Sequence, residues 1–147
     1  MREIIKYPDI RLLQKSREIN LNMDKTLLYS LVEDMKFYLN KSPGLAAVQL
    51  GENIRFIGVK FGMENLFIIN PEIIKNSEDI IASNEGCLSL DSSLVITVPR
   101  YRRVKVRGTT LDGRSISWKG RDLFGRVLQH EIDHLDGVLI NVKMEKY

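Results

Sequence analysis

The chain has 147 residues, 44% hydrophobic and 28% charged, enough for one well-filled core and too few for two ordinary domains. No apolar run approaches the ~20 residues that a membrane-crossing helix needs, and the N-terminal MREIIKYPDIRLLQKS scatters charges through its apolar positions, so neither a membrane protein nor an export signal is expected. The single cysteine, Cys87, excludes an intramolecular disulfide and fits a reducing cytoplasm, where a lone thiol is ordinarily a small buried hydrophobe.

The first element expected is a helix over 24–40. Leu27, Leu28, Leu31, Val32, Met35 and Leu39 form a stripe at helical spacing, with Asn22 and Asp24 as candidate caps. Ser42-Pro43-Gly44 ends it, because proline lacks a donor and glycine tolerates positive φ. Five short runs rich in β-branched and aromatic residues follow at 55–61, 66–70, 95–98, 103–107 and 115–118. Turn residues 62–65 join the first pair, and Asp112-Gly113 is a hairpin signal between the last two.

Net charge is +3, and RYRRVKVR at 100–107 is the only dense basic run. Val104 and Val106 alternate there with Arg103, Lys105 and Arg107, which reads as a strand with a solvated face. It carries no motif of specific nucleic-acid recognition. From 122 to 136 the pattern turns helical again, and Gly137 stands where a C-terminal glycine cap belongs. Helix, antiparallel strands, then helix without βαβ alternation predicts a single α+β domain over 1–147, mostly antiparallel sheet.

The last helix carries Gln129-His130-Glu131-Ile132-Asp133-His134, with both histidines of the chain. Four residues apart on a helix, two imidazoles share one face and can hold one cation, and the glutamate between them can take a proton from water without being a ligand. A catalytic site of this kind wants three protein ligands and an open position. The metzincin spacing puts Ile140 where a third histidine would be, and Glu145 lies in a short tail, so no downstream donor presents itself. Upstream, Cys87 in Asn84-Glu85-Gly86-Cys87-Leu88-Ser89 offers a thiolate, and Gly86 allows a close backbone approach. The stretch 44–49, GLAAVQ, reads as a tight apolar wall ending in the amide of Gln49.

Taken together and in this order, GLAAVQ, EGCLS and QHEIDH resemble the three signature motifs of the peptide deformylases. The likeness extends over about residues 4–142, through Tyr7-Pro8-Asp9, the Asp-Gly hairpin and GRVLQHEIDHLDGVL. The family removes the formyl group from N-formylmethionine at the start of newly made polypeptides. The resemblance implies that Cys87, His130 and His134 hold one divalent metal ion and that Glu131 is the general acid/base. It implies that Gln49 and the Leu88 N–H face the oxyanion, and that backbone at Gly44 and Gly86 meets the substrate. Fe²⁺ is the ion it implies, with Zn²⁺, Ni²⁺ or Co²⁺ as substitutes. Glu85 or Asp133 is expected to hydrogen-bond a ligand imidazole and fix its tautomer.

Two departures from the family pattern stand out. Ser42 replaces a glycine, and Leu90-Asp91 replaces an apolar-proline pair; both are expected at the rim of the peptide groove, bearing on affinity more than on reaction type. The chain ends at Tyr147 without the long C-terminal helix of many bacterial members, which weakens an expectation of ribosome docking. A cytoplasmic monomer is expected, its substrate a formylmethionyl peptide. The alternatives are a zincin-like metalloprotease, a weakly active paralogue that binds formylated peptides, and a structural metal protein.

Overall fold

The structure, a computed structural model, describes residues 1–145; Lys146, Tyr147 and the side chains of Met144 and Glu145 lie outside the described residues. The expected tail at 145–147 therefore falls largely outside them. Helix α1 is Leu21–Tyr38, three residues earlier than the sequence reading. Asn20 is the cap, its side chain accepting from Asn22 N at 3.1 Å, while Asp24 accepts from Asn20 N at 3.2 Å. Of the two predicted caps, Asn22 lies inside the first turn and Asp24 returns the bond to the true cap, a reciprocal arrangement that sequence spacing shifted by one turn.

Seven strands follow: β1 (Gly44–Ala46), β2 (Phe56–Phe61), β3 (Glu64–Asn76), β4 (Ile80–Glu85), β5 (Ile96–Tyr101), β6 (Arg103–Thr109) and β7 (Ser115–Arg121). Helices α2 (Asp122–Leu135) and α3 (Ile140–Glu145) close the described chain. β1, β4 and α3 were not expected. β1 is three residues long and buried throughout, so it shows no alternation; β4 ends in Asn84-Glu85, poor strand formers held by pairing with β5; α3 is shorter than two helical turns.

Every strand pairing is antiparallel, in a five-stranded sheet of order β1-β2-β3-β6-β7 and a separate β4-β5 ribbon. The β2–β3 connection is tighter than the predicted 62–65 turn: Phe61 faces Glu64, leaving Gly62-Met63 as a two-residue loop with Gly62 at φ 64°. The Asp112-Gly113 turn forms as predicted, Gly113 at φ 88°.

The two longer helices pack on opposite faces of the large sheet, α1 over β1, β2 and β3 only. On one, Leu28, Leu31, Val32, Met35 and Leu39 of α1 pack on Leu45, Phe56 and Ile69. On the other, Val127, Leu128, Ile132 and Leu135 of α2 pack on Ala46, Ile57, Val59, Ile68, Val104 and Val106. Alternate residues of β2 thus serve opposite helices, as the pleat requires. Burial of each such large side chain is worth about 1.5–3 kcal/mol. A third cluster of Leu12, Leu90, Val98, Leu139 and Ile140 ties the N-terminal segment and α3 to the β4-β5 ribbon.

Helix α2 is fixed against the sheet by two glycines. A Cβ on Gly120 would lie 2.9 Å from Gly125 Cα, and one on Gly125 would lie 2.8 Å from Gly120 O. Its C-terminus is satisfied by Ser16 N on Leu135 O at 2.7 Å and by Arg55, which donates to Leu135 O at 3.0 Å and Asp136 Oδ1 at 3.0 Å. The predicted glycine cap holds, with Gly137 at φ 75°.

Candidate active site

The ligand atoms of Cys87, His130 and His134 all lie within 4.8 Å of one another. The two histidines come from consecutive turns of α2, and Cys87 comes from the loop that follows β4. Cys87 Sγ and His134 Nε2 are 3.4 Å apart, close to the ~3.5 Å that a tetrahedral cation with ordinary Zn–S and Zn–N bond lengths imposes on two ligands. His130 Nδ1 is 2.8 Å from Glu85 Oε1. A carboxylate there requires the N–H at Nδ1, which leaves the Nε2 lone pair free for a cation.

The donor set fits a divalent transition metal: two imidazole nitrogens and one thiol, with no fourth Cys, His, Asp or Glu joining the group among the described residues. That is the composition of an open site. A closed structural site would need another protein ligand.

Glu131 is 3% exposed, and its Oε1 has no hydrogen-bond partner among the described residues. Burial pushes its carboxyl up to about 7, against the pull of a charged His130. Gly44 of β1 makes room for it, since a Cβ there would sit 2.5 Å from Glu131 Oε2 and 2.7 Å from Val127 Cγ1. Gln49 is buried, its Oε1 accepting from Ala46 N at 3.0 Å. Its amide nitrogen is thereby turned toward Ser89 Oγ at 3.1 Å and Cys87 Sγ at 3.6 Å. Leu88 N–H has no partner among the described residues, and Leu88 O accepts from Lys6 Nζ at 2.6 Å.

Gly44, Gln49, Gly86, Cys87, Leu88, Val127, His130 and Glu131 line one cleft of about 420 Å³, and His134 is buried behind it. A Cβ on Gly86 would meet only Leu94 O, at 3.7 Å, so this glycine permits no tight backbone packing; it leaves open space in the cleft. The N-terminal segment holds the two polar walls together, Ile5 N donating to Gln49 O at 2.7 Å and Tyr7 N to Ser89 O at 2.9 Å.

Of the two acids expected beside a ligand imidazole, Glu85 contacts His130 and Asp133 contacts neither histidine among the described residues. Asp133 instead accepts from Arg100 Nη1 at 2.6 Å and pairs with Lys143 at 3.2 Å. Arg100 also grips Glu85 through two bonds of 2.8 and 2.6 Å, and it is only 2% exposed. Burial works against the charge on Glu85, but the Arg100 and His130 hydrogen bonds prevail and hold its carboxyl at about 2. Burial likewise opposes the charge on His130, while Glu131, Cys87 and Glu85 raise it to about 10 in the metal-free site; buried His134 lies well below the usual range. A cation held by the three donors would take the place of a proton on His130 Nε2.

Arg100 and Gln129 were missed in the sequence. Arg100 opens the basic run read as a solvated face, and that reading holds for Arg103 and Arg107 but not for it. Its signal was present: Ile96, Val98 and Arg100 alternate on the buried face of β5. Gln129 clamps the end of β5 to α2, accepting from Tyr101 N at 2.8 Å and donating to Tyr101 O at 2.9 Å. The departures at 90–91 also divide. Ser42 and Asp91 line the cleft as expected, whereas Leu90 is 7% exposed in the third core cluster and not at the rim.

The pattern of the polypeptide deformylase family matches residues 1–147. A peptide deformylase of Dictyoglomus thermophilum is 39% identical over 142 residues, covering 95% of this chain and 90% of that protein. The structure of a probable peptide deformylase from Synechococcus phage S-SSM7 is similar with a TM-score of 0.88 and 35% identity, over 97% of this chain and 99% of that one. A Met-Ala-Ser-bound class I type b peptide deformylase from Acinetobacter baumannii matches with a TM-score of 0.90 and 27% identity, covering 97% and 98%. By its family match over the whole chain, its identity to these relatives and its fold, the chain belongs to the polypeptide deformylase family, metal-dependent hydrolases that remove the N-formyl group from newly made polypeptides.

Proposed function

We propose that this one-domain chain deformylates N-formylmethionyl peptides with Cys87, His130 and His134 as ligands of one Fe²⁺ ion and Glu131 as the proton shuttle. The observation that carries this is the buried Glu131 carboxylate, with one oxygen unpartnered, beside a three-donor group that has no fourth protein ligand among the described residues. A divalent cation held there supplies the positive charge that makes hydroxide available at neutral pH and polarises the formyl oxygen.

Glu131 takes a proton from the attacking water and passes it to the amine nitrogen as the formyl C–N bond breaks, releasing formate and a free N-terminus. Gln49 Nε2 and Leu88 N–H donate to the oxygen on which negative charge develops; Gln49 is aimed by its bond to Ala46 N, so little reorganisation is needed. Glu85 holds His130 in the ligating tautomer, and Arg100 holds Glu85. The peptide lies in the cleft between Gly44 and Gly86, and Ser42 and Asp91 bear on how tightly it is held. The enzyme acts as a cytoplasmic monomer that meets its substrate near the ribosome.

Metal content separates this reading from a protease with some other third ligand. Cys87→Ala, purified without oxygen and measured by plasma mass spectrometry, is expected to lose most of its metal. Full stoichiometry in that variant contradicts the ligand set.

A further inference from the structure

We infer that the cationic face of β3, β6 and β7 docks the phosphate backbone of RNA. Lys75 stands directly opposite Lys105, and Lys105 directly opposite Lys119, so three lysines form one row across three neighbouring strands. Arg103 stands opposite Arg121, two residues along the same face. With strands ~4.8 Å apart and same-face neighbours ~6.8 Å apart, five positive charges share a patch of roughly 10 by 7 Å. Adjacent charges, ~5–7 Å apart, lie within the ~8 Å screening length of physiological salt, so neighbours feel one another and present a polyanion with a continuous field.

Like charges directly opposite one another weaken a sheet, and folding alone gives no reason for this row. Acids relieve only its edge. Asp79 is engaged by Arg102 at 2.5 Å and reaches Arg103 at 4.0 Å, Asp122 is 4.0 Å from Arg121, and among the described residues none of the three lysines has an ion-pair partner. The face is concave, forming a groove of about 620 Å³.

Its chemistry is that of a phosphate binder. Lysine dominates, and Trp118 of β7 packs with the α2 side of the sheet, so among the described residues no aromatic side chain lines the groove. Val104, its one large apolar lining residue, is 4% exposed and offers nothing for insertion into a bilayer. Val104 and Val106 face α2, so the lysines lie on the opposite face of the sheet and binding there is separable from the cleft. The choice of RNA among phosphate polyanions rests on the proposed activity, since newly made chains emerge where RNA is abundant.

Fluorescence anisotropy with a labelled 20-base-pair RNA hairpin, between 50 and 200 mM KCl, tests this. Up to five phosphate contacts give a slope of log K against log salt of about −3 to −4.5. Replacing the row (Lys75→Gln, Lys105→Gln, Lys119→Gln) is expected to weaken binding at least tenfold at 50 mM KCl and to flatten the slope by about 2–3. A control with the same charge change elsewhere (Lys15→Gln, Lys25→Gln, Lys36→Gln) is expected to stay within threefold of the parent. The row variant should melt no lower than the parent and release formate at the parental rate. Turnover reports on the cleft and anisotropy on the groove, so failure of one is distinguishable from failure of the other. Absence of RNA binding at 50 mM KCl, equal losses in both triple variants, or a row variant that loses binding to phosphatidylserine vesicles but keeps RNA overturns the inference.

Discussion

Glu131, the proposed proton shuttle, is a carboxyl whose burial costs the fold stability. Its folded pKa, about 7, lies above the ordinary value of 4.5, so between those two pH values the unfolded chain has shed a proton that the folded one retains. Stability of the metal-free protein therefore falls as pH rises from 4.5 to about 7, and the loss is complete above that. Glu131→Gln removes the titration. Thermal melts of the metal-free variant are expected to lie above the parent at pH 8 and to converge with it near pH 4.5, while kcat with metal restored falls 10²–10⁴-fold. A lower melting temperature at pH 8 contradicts this account of the buried carboxylate. Glu85 is 2.8 Å from His130, and on the proposed ligand set Glu85→Gln is expected to weaken metal binding 10- to 100-fold in a competitive chelator titration. Unchanged affinity would mean that the 2.8 Å contact does not set the tautomer.

Among the elements, α2 carries the site and the sheet positions it. The three side chains proposed as ligands and proton shuttle, His130, Glu131 and His134, lie on two turns of this helix, and its distance from β7 is set by backbone contact between Gly120 and Gly125. Gly125→Ala is expected to cost about 1–3 kcal/mol in urea denaturation and, by tilting the helix, to lower kcat as well. Wild-type stability with wild-type turnover would show that the two backbones are not in contact. The elements that were legible in the sequence were those with sustained periodicity: the Leu28-Leu31-Met35 stripe of α1, the alternating strands, and α2 with its glycine cap. β1 and β4 escaped because each owes its conformation to a partner strand. β1 is three buried residues beside β2, and β4 carries the polar Asn84 and Glu85, whose side chains bond to Thr97 of β5 and to Arg100 and His130 respectively.

At the scale of the whole molecule, the site joins parts distant in sequence. Cys87 and Glu85 belong to the β4-β5 ribbon, Gln49 to the turn after β1 and the histidines to α2, and the N-terminal segment bonds to both Gln49 and Ser89. The three motifs made the inner residues legible because catalysis fixes their types. Arg100, Gln129 and the inward turn of Leu90 were not legible, because their roles depend on which face of a strand or helix meets which neighbour. A cation held on the proposed ligands would link the loop to the helix, so chelation is expected to lower the melting temperature as well as to abolish activity, both returning when metal is restored. The most direct test of the central claim is formate release from an N-formylmethionyl tripeptide by anaerobically prepared, iron-loaded protein, measured beside Glu131→Ala. The account predicts stoichiometric formate from the parent and almost none from the variant with its metal still bound; a fully metallated parent that releases no formate contradicts it.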